Sequence, residues 1–218
     1  MTEERIAQFI TIGIILLVSF PVHEFSHALA ALRLGDGTAK LFGRLTLNPI
    51  VHFDPLGGLM LLLTGLLGFG FGWAKPTPVN PNNLRGGRQG EAIVSFAGPA
   101  SNLVLAVAAA LPLRYILATH VAVPDLVTFV LADFVLINLA LMVFNLIPIP
   151  PLDGAKVLYA LLDPRTAYQV RPYLEQYGFF FLFFLIIPLG PGGSILGRLF
   201  VAIVGPLSDL LVGTPLVG

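Results

Sequence analysis

The stretch LLVSFPVHEFSHALAAL, Leu16 to Leu32, reads as lipid-soluble helix until it reaches His23, Glu24 and His27. An ionisable group at membrane depth costs at least about 2.5–3.5 kcal/mol. Three such groups within five residues therefore need compensation. On an α-helix, residues four apart lie about 40° apart around the axis and one turn along it. His23 and His27 thus present two imidazoles side by side, as one divalent cation requires. Glu24, about 100° away, is close enough to reach a water on that cation without ligating it. This is the H-E-x-x-H arrangement of two zinc ligands and a general base. The plainer reading is polar packing between membrane helices, and the burial cost of three idle groups argues against it.

The whole chain supports a membrane setting. Of its 218 residues 56% are hydrophobic and 11% charged, and mean hydropathy is +0.88. Soluble domains carry about 25% charged residues, so the composition is that of an integral membrane protein. Net charge is zero, which gives no basic footprint for nucleic acid. Cysteine is absent, which excludes disulfides and thiolate ligands. Thr2-Glu3-Glu4-Arg5 is not a basic leader, so no cleaved signal is expected.

Apolar runs over Arg5–Leu34, Ala92–Leu117, Leu126–Ile147, Tyr173–Leu189 and Ile195–Leu211 predict about five membrane helices. A spanning helix needs about 20 residues. Residues 38–54 alternate polar and apolar and predict short strands. Pro55–Trp73 is apolar but holds six glycines, which favours a re-entrant segment over a spanning one. The stretch AKPTPVNPNNLRGGRQGE that follows is a polar loop. The expected architecture is a single all-α polytopic domain over 1–218, with a catalytic core at about 5–165 and two additional C-terminal helices at about 172–213.

A catalytic zinc site takes a third protein ligand and leaves a position for water. His52 and His120 lie in loop-like stretches, and Asp133 sits within a helix. Asp153 follows Pro148, Pro150 and Pro151, which break the helix. Broken backbone at membrane depth is tolerated only against protein or a water-filled cavity. Asp153 is therefore the best candidate for the missing ligand.

These residues resemble the site-2 protease family of intramembrane zinc metalloproteases. That family pairs H-E-x-x-H with a later N-x-x-P-x-x-L-D-G type motif. Here the pair is His23-Glu24-Phe25-Ser26-His27 and Asn145-Leu146-Ile147-Pro148-Ile149-Pro150-Pro151-Leu152-Asp153-Gly154, with one extra residue after the first proline. Phe96 to Asn102, FAGPASN, resembles the start of the family's intervening helix. The resemblance covers roughly residues 10 to 165. It implies one Zn2+ per chain held by His23, His27 and Asp153, with Glu24 as the base that activates water. It suggests Asn145 as a donor near the scissile carbonyl, though Asn145 equally serves as a cap on the broken helix. Asn102 is read as a packing residue, and His52 and Asp54 as loop structure. The implied substrates are transmembrane segments already trimmed outside, such as anti-sigma factors or signal-peptide remnants. No PDZ-like insertion or nucleotide-sensing domain is found.

Two rivals stand beside this reading. A gluzincin-type protease would use a later glutamate, and only Glu91 and Glu175 are present, both bordering loops. An inactive or transport-related zinc-binding membrane protein should have lost Glu24 or a ligand, or show a paired repeat. Neither sign is seen.

Topology gives an internal test. His23 lies 12 residues, about 18 Å of helix, before Gly35, and Asp153 lies 10 residues, about 15 Å, before Asp163. The depths match only if both segments cross in the same sense, which requires Pro55–Trp73 to re-enter. In that case nine Lys and Arg lie on one side and three on the other, and the positive side is cytoplasmic. The expectation is a multi-pass plasma-membrane protein with its N-terminus outside and its active site nearer the cytoplasm.

Overall fold

The computed structural model describes residues 3–67, 72–188 and 193–216. Helix α1 (Glu3–Ile14) and helix α2 (Phe20–Arg33) are joined by one wide turn, Ile15–Ser19, into a continuous rod. In that turn the Phe20 N–H bonds the Ile15 carbonyl five residues back. The next residue, Pro21, has no N–H to return to Leu17, and the helix widens where that bond is missing. Such wide turns recur at functional sites, and this one lies one turn before His23.

Residues 38–54 do not form the expected strands; among the described residues there are none. They make two single-turn helices, α3 (Thr38–Leu41) and α4 (Pro49–His52). The alternation in the sequence loses to local capping. Asp36 accepts from the Thr38 N–H and hydroxyl, and Asn48 accepts from the Ile50 N–H ahead of Pro49. Gly43 turns the chain at φ 68 between them. Backbone groups satisfied this way need no partner strand.

Helix α5 (Pro55–Leu67) has 13 residues, about 20 Å, short of the roughly 30 Å hydrocarbon core. The chain then comes back to where it began. Trp73 packs on Gly57 so closely that a Cβ there would overlap the Trp73 carbonyl. The Lys75 N–H bonds the His52 carbonyl at 2.8 Å. The segment thus enters and leaves at one end, as expected of a re-entrant segment; residues 68–71 lie outside the described residues.

Helix α6 (Arg88–Thr119) is the central post, packed against α2, α7 (Asp125–Asn145) and α8 (Asp153–Leu161). Its buried face is small, with Gly98, Ala106, Ala109 and Ala110, which lets neighbouring backbones approach. Leu113 joins Val135, Leu139 and Val143 of α7 and Val204 and Val212 of α10 (Ile195–Val212) in the main apolar cluster. Polarity is inverted relative to a soluble protein. Thr11, Ser19, Asn102, Asn138 and Ser208 are buried, while Leu17, Val104, Leu111 and Phe179 face outward.

Loop contacts fix the relative directions. Arg85 bonds the Arg33 and Leu34 carbonyls at the end of α2. Arg88 bonds the Tyr159 and Leu162 carbonyls at the end of α8. Both motif-bearing helices therefore end at the start of α6 and run in the same sense, as the depth argument demands.

Among the described residues, four helices are long and apolar enough to cross a membrane: Arg5–Arg33, Arg88–Thr119, Asp125–Asn145 and Ile195–Val212. Helix α9 (Pro164–Ile186), expected as a fifth, falls short of that hydropathy over its described residues. It begins earlier than its apolar run because Asp163 caps it through the Arg165 and Thr166 N–H groups and Pro164 occupies its first turn. Its continuous apolar part is only Phe179–Ile186, and the expected end at Leu189 lies outside the described residues. Near that end Leu182 packs with Ile147, Leu152 and Leu196, so α10 starts at the depth of the broken helix. It finishes beside Arg114, far up α6, where Arg114 bonds the Leu210 carbonyl.

Candidate active site

Helix α2 carries His23 and His27 one turn apart on its buried face, with ring centroids 4.7 Å apart. Asp153 opens α8 directly after the proline-broken stretch. His23 Nε2 and His27 Nε2 are 3.0 Å apart, and Asp153 Oδ2 lies 3.3 Å and 3.2 Å from them. Among the described residues this is the one group of three such side chains whose ligand atoms converge. It joins residues 126 positions apart in sequence (27 to 153).

The donor set fits a small divalent cation. His27 Nδ1 lies 2.7 Å from the Val94 carbonyl, which can only accept, so this nitrogen carries the proton. His23 Nδ1 lies 2.6 Å from Asn102 Oδ1. In the neutral imidazoles each Nε2 then keeps a lone pair, and both lone pairs face a carboxylate oxygen. Three acceptors around one point repel unless a cation lies among them. A tetrahedron with arms of about 2.0–2.1 Å has edges of about 3.3 Å, close to the three separations observed. Room for the ion comes from Gly98 on α6. A Cβ there would lie 2.5 Å from both His23 Nε2 and His27 Cε1 and would also strike His27 Nε2.

Glu24 is tied to the returning loop. Its Oε2 accepts the Thr77 N–H at 2.7 Å, and its main-chain carbonyl accepts the Thr77 hydroxyl at 3.1 Å. Pro76 and Pro78 flank Thr77 and have no N–H. Thr77 thus supplies the single backbone donor of that tripeptide, and it is spent on Glu24.

The other candidates are held elsewhere. One Asn145 amide hydrogen goes back to the Leu141 carbonyl of its own helix at 2.9 Å. His52 bonds the Thr46 carbonyl, and Asp54 accepts from the Gly57 N–H at the head of α5. His120 ends α6 in the left-handed conformation. Glu91 and Glu175 both pair with Arg171, so neither glutamate joins the histidines. Sequence reading missed three residues. Asn102, which in the sequence reads as a packing or backbone-bonding residue, bonds His23. Thr77 and Asn138 were not singled out. The P-T-P pattern around Thr77 is a signal that could have found it; Asn138, a lone amide in an apolar helix, is another.

Comparison with known proteins agrees with this geometry. The family model described as peptidase family M50 matches residues 114–188, the part that carries Asn145 to Gly154. A protein of Bacillus subtilis (strain 168) named "Putative zinc metalloprotease YwhC" is 39% identical over 208 residues, covering 89% of this chain and 92% of that protein. Proteins named "Putative zinc metalloprotease Rip2" from Mycolicibacterium smegmatis and Mycobacterium tuberculosis (strain H37Rv) are 37% and 34% identical over 174 and 177 residues. Each of those matches covers 78% of this chain and 64% of the mycobacterial protein. No solved structure matches significantly. With its motif-bearing helices brought together and a full-length relative at this identity, the chain belongs to peptidase family M50, the site-2 protease family.

Proposed function

We propose that the protein is an intramembrane zinc endopeptidase that hydrolyses peptide bonds within transmembrane segments. The observation that carries this reading is the convergence of His23, His27 and Asp153 inside a membrane-crossing helix bundle, with Glu24 next to the first ligand. When bound by these three residues, Zn2+ supplies Lewis acidity toward a carbonyl and lowers the pKa of water to about 7. Glu24 takes the proton of the attacking water and passes it to the leaving amine nitrogen. The Thr77 N–H holds the Glu24 carboxylate by one oxygen and leaves the other for that proton. Asn145, one of whose amide hydrogens goes to the Leu141 carbonyl of α7, is the donor that the family resemblance suggests near the scissile carbonyl.

The substrate must unwind locally, because the carbonyls of an intact helix are already bonded and shielded. The extended stretch 74–80 runs past Glu24, and there an unwound segment can lie alongside it. Family resemblance favours segments already trimmed on the outer side, such as anti-sigma factors or signal-peptide remnants. The nine-to-three bias of Lys and Arg supports a plasma-membrane orientation with the site nearer the cytoplasm.

The test is cleavage of a model transmembrane substrate by purified protein, with Glu24→Gln and Asp153→Ala variants. Glu24→Gln is expected to lose cleavage while keeping one zinc per chain, and Asp153→Ala to lose both. Cleavage that persists in Glu24→Gln, or full zinc retention in Asp153→Ala, would reject the assignment. In cells, Glu24→Gln should accumulate membrane stubs that the active protein removes.

A further inference from the structure

A line of amides crosses three helices and ends on His23. His23 Nδ1 meets Asn102 Oδ1 on α6 at 2.6 Å. Asn102 Nδ2 donates to Asn138 Oδ1 on α7 at 3.1 Å. Asn138 Nδ2 donates to the Phe134 carbonyl at 2.9 Å. Both asparagines are fully buried, so no water competes for their groups.

The direction of every bond in this line follows from its far end. A backbone carbonyl only accepts, so the Asn138 nitrogen must face Phe134. The Asn138 oxygen then faces Asn102 and demands that residue's nitrogen. The Asn102 oxygen is left for His23, and an oxygen that only accepts requires a proton on Nδ1. The lone pair of His23 is thereby placed on Nε2, toward Asp153. Were Asn102 reversed, its NH2 would face Nδ1 and call for the opposite tautomer, with a proton pointing into the cation position. His27 reaches the same state with one contact to the Val94 carbonyl. His23 faces a side-chain amide, which has a wrong way round.

We propose that Asn138 is a polarity lock for the cation site, a positioning residue that acts on His23 through Asn102 and touches neither metal nor substrate. This rests on the reading of His23 as a zinc ligand. Partners that orient metal-bound histidines are worth about 10- to 100-fold in metal affinity. Two buried amides in spanning helices are tolerable because each satisfies the other.

The experiment is zinc affinity of the purified full chain by chelator competition, with thermal unfolding of the zinc-free protein as the control for packing. Asn138→Leu is expected to weaken zinc about 10- to 100-fold with little change in zinc-free stability. Asn102→Asp offers His23 an acceptor whichever way the carboxylate turns. In that background Asn138→Leu should cost no further affinity. Equal losses in both backgrounds would overturn the lock, as would unchanged affinity in Asn138→Leu alone. If Asn102→Asp does not accumulate, Asn102→Leu replaces it. With no amide left to orient, removing Asn138 should add nothing, and an additive loss would refute the proposal. Zinc binding that survives Asp153→Ala and His23→Ala would instead count against the metal-site reading itself.

Discussion

At Thr77 two prolines reduce the backbone's hydrogen-bonding choices to one N–H, and that N–H is aimed at the Glu24 carboxylate. A hydrogen bond to a charged group is worth about 1.5–3 kcal/mol, and each 1.36 kcal/mol of barrier is tenfold in rate. Thr77→Pro removes the donor while suiting an extended, proline-flanked position. It should lower kcat about 10- to 100-fold with zinc content unchanged. Thr77→Val keeps the N–H, loses only the hydroxyl contact to the Glu24 carbonyl, and should lower kcat far less. Steady-state kinetics with metal analysis checks both, and equal losses would mean the donor has no role. The grouping of His23, His27 and Asp153 was legible in the sequence because their chemistry is costly in hydrocarbon and the two histidines lie one helical turn apart. Thr77 escaped because the P-T-P tripeptide acquires its role only when a loop 53 residues further on returns to Glu24. Asn102 was visible in the FAGPASN stretch, but its partner lies 79 residues away, and nothing local distinguishes a packing amide from one that orients a ligand.

Between elements, Asp36 holds the end of α2 to the loop before α6. Its buried carboxylate accepts from the Thr38 N–H and hydroxyl, the Asn80 N–H and the Asn83 amide. Burial alone would push the carboxyl up, but these donors outweigh it and hold it below the ordinary carboxylate range. A depressed folded pKa means that the contribution is fully present above the unfolded value of about 3.9. It is lost only as pH falls through the lower folded value. Hydrogen exchange at the Asn80 amide, corrected for intrinsic rate, should therefore show constant protection from pH 7 to pH 5 and a decline below about pH 3.9. Asp36→Asn should lose about 1.5–3 kcal/mol of that protection already at pH 7. Protection that falls between pH 7 and 5 would assign the clasp to another group. The same residue explains the misread strand. Asp36 and Asn48 cap single turns at either end of 38–54, and capping of that kind overrides a short alternation that finds no partner strand. The long apolar helices were legible from composition, whereas the start of α9 was set by Asp163 and Pro164, ahead of its apolar run.

For the molecule as a whole, the direction of the last helix decides the topology. Five crossings would place the end of α10 on the same side as the start of α6. The packing places it on the other side. Arg114, 26 residues into α6 from Arg88, bonds the Leu210 carbonyl, and Gly213 lies against its guanidinium. Leu196, at the start of α10, packs with Ile147 and Leu152 at the depth of Asp153. Helix α9 reaches that cluster through Leu182, which predicts that α9 and α10 together traverse the bilayer once. With α1–α2, α6 and α7, four crossings are predicted. The absence of native cysteine makes the arrangement directly readable, since any introduced thiol is the only one present. Thr214, Val121 and Asn82 are exposed and serve as probes. In intact cells a membrane-impermeant thiol reagent should label Val121→Cys and Thr214→Cys alike and leave Asn82→Cys unlabelled until the membrane is opened. Thr214→Cys that stays unlabelled with Asn82→Cys until the membrane is opened would restore a fifth crossing at α9. Labelling of Asn82→Cys in intact cells would invert the orientation and place the His23–Asp153 site nearer the outer face.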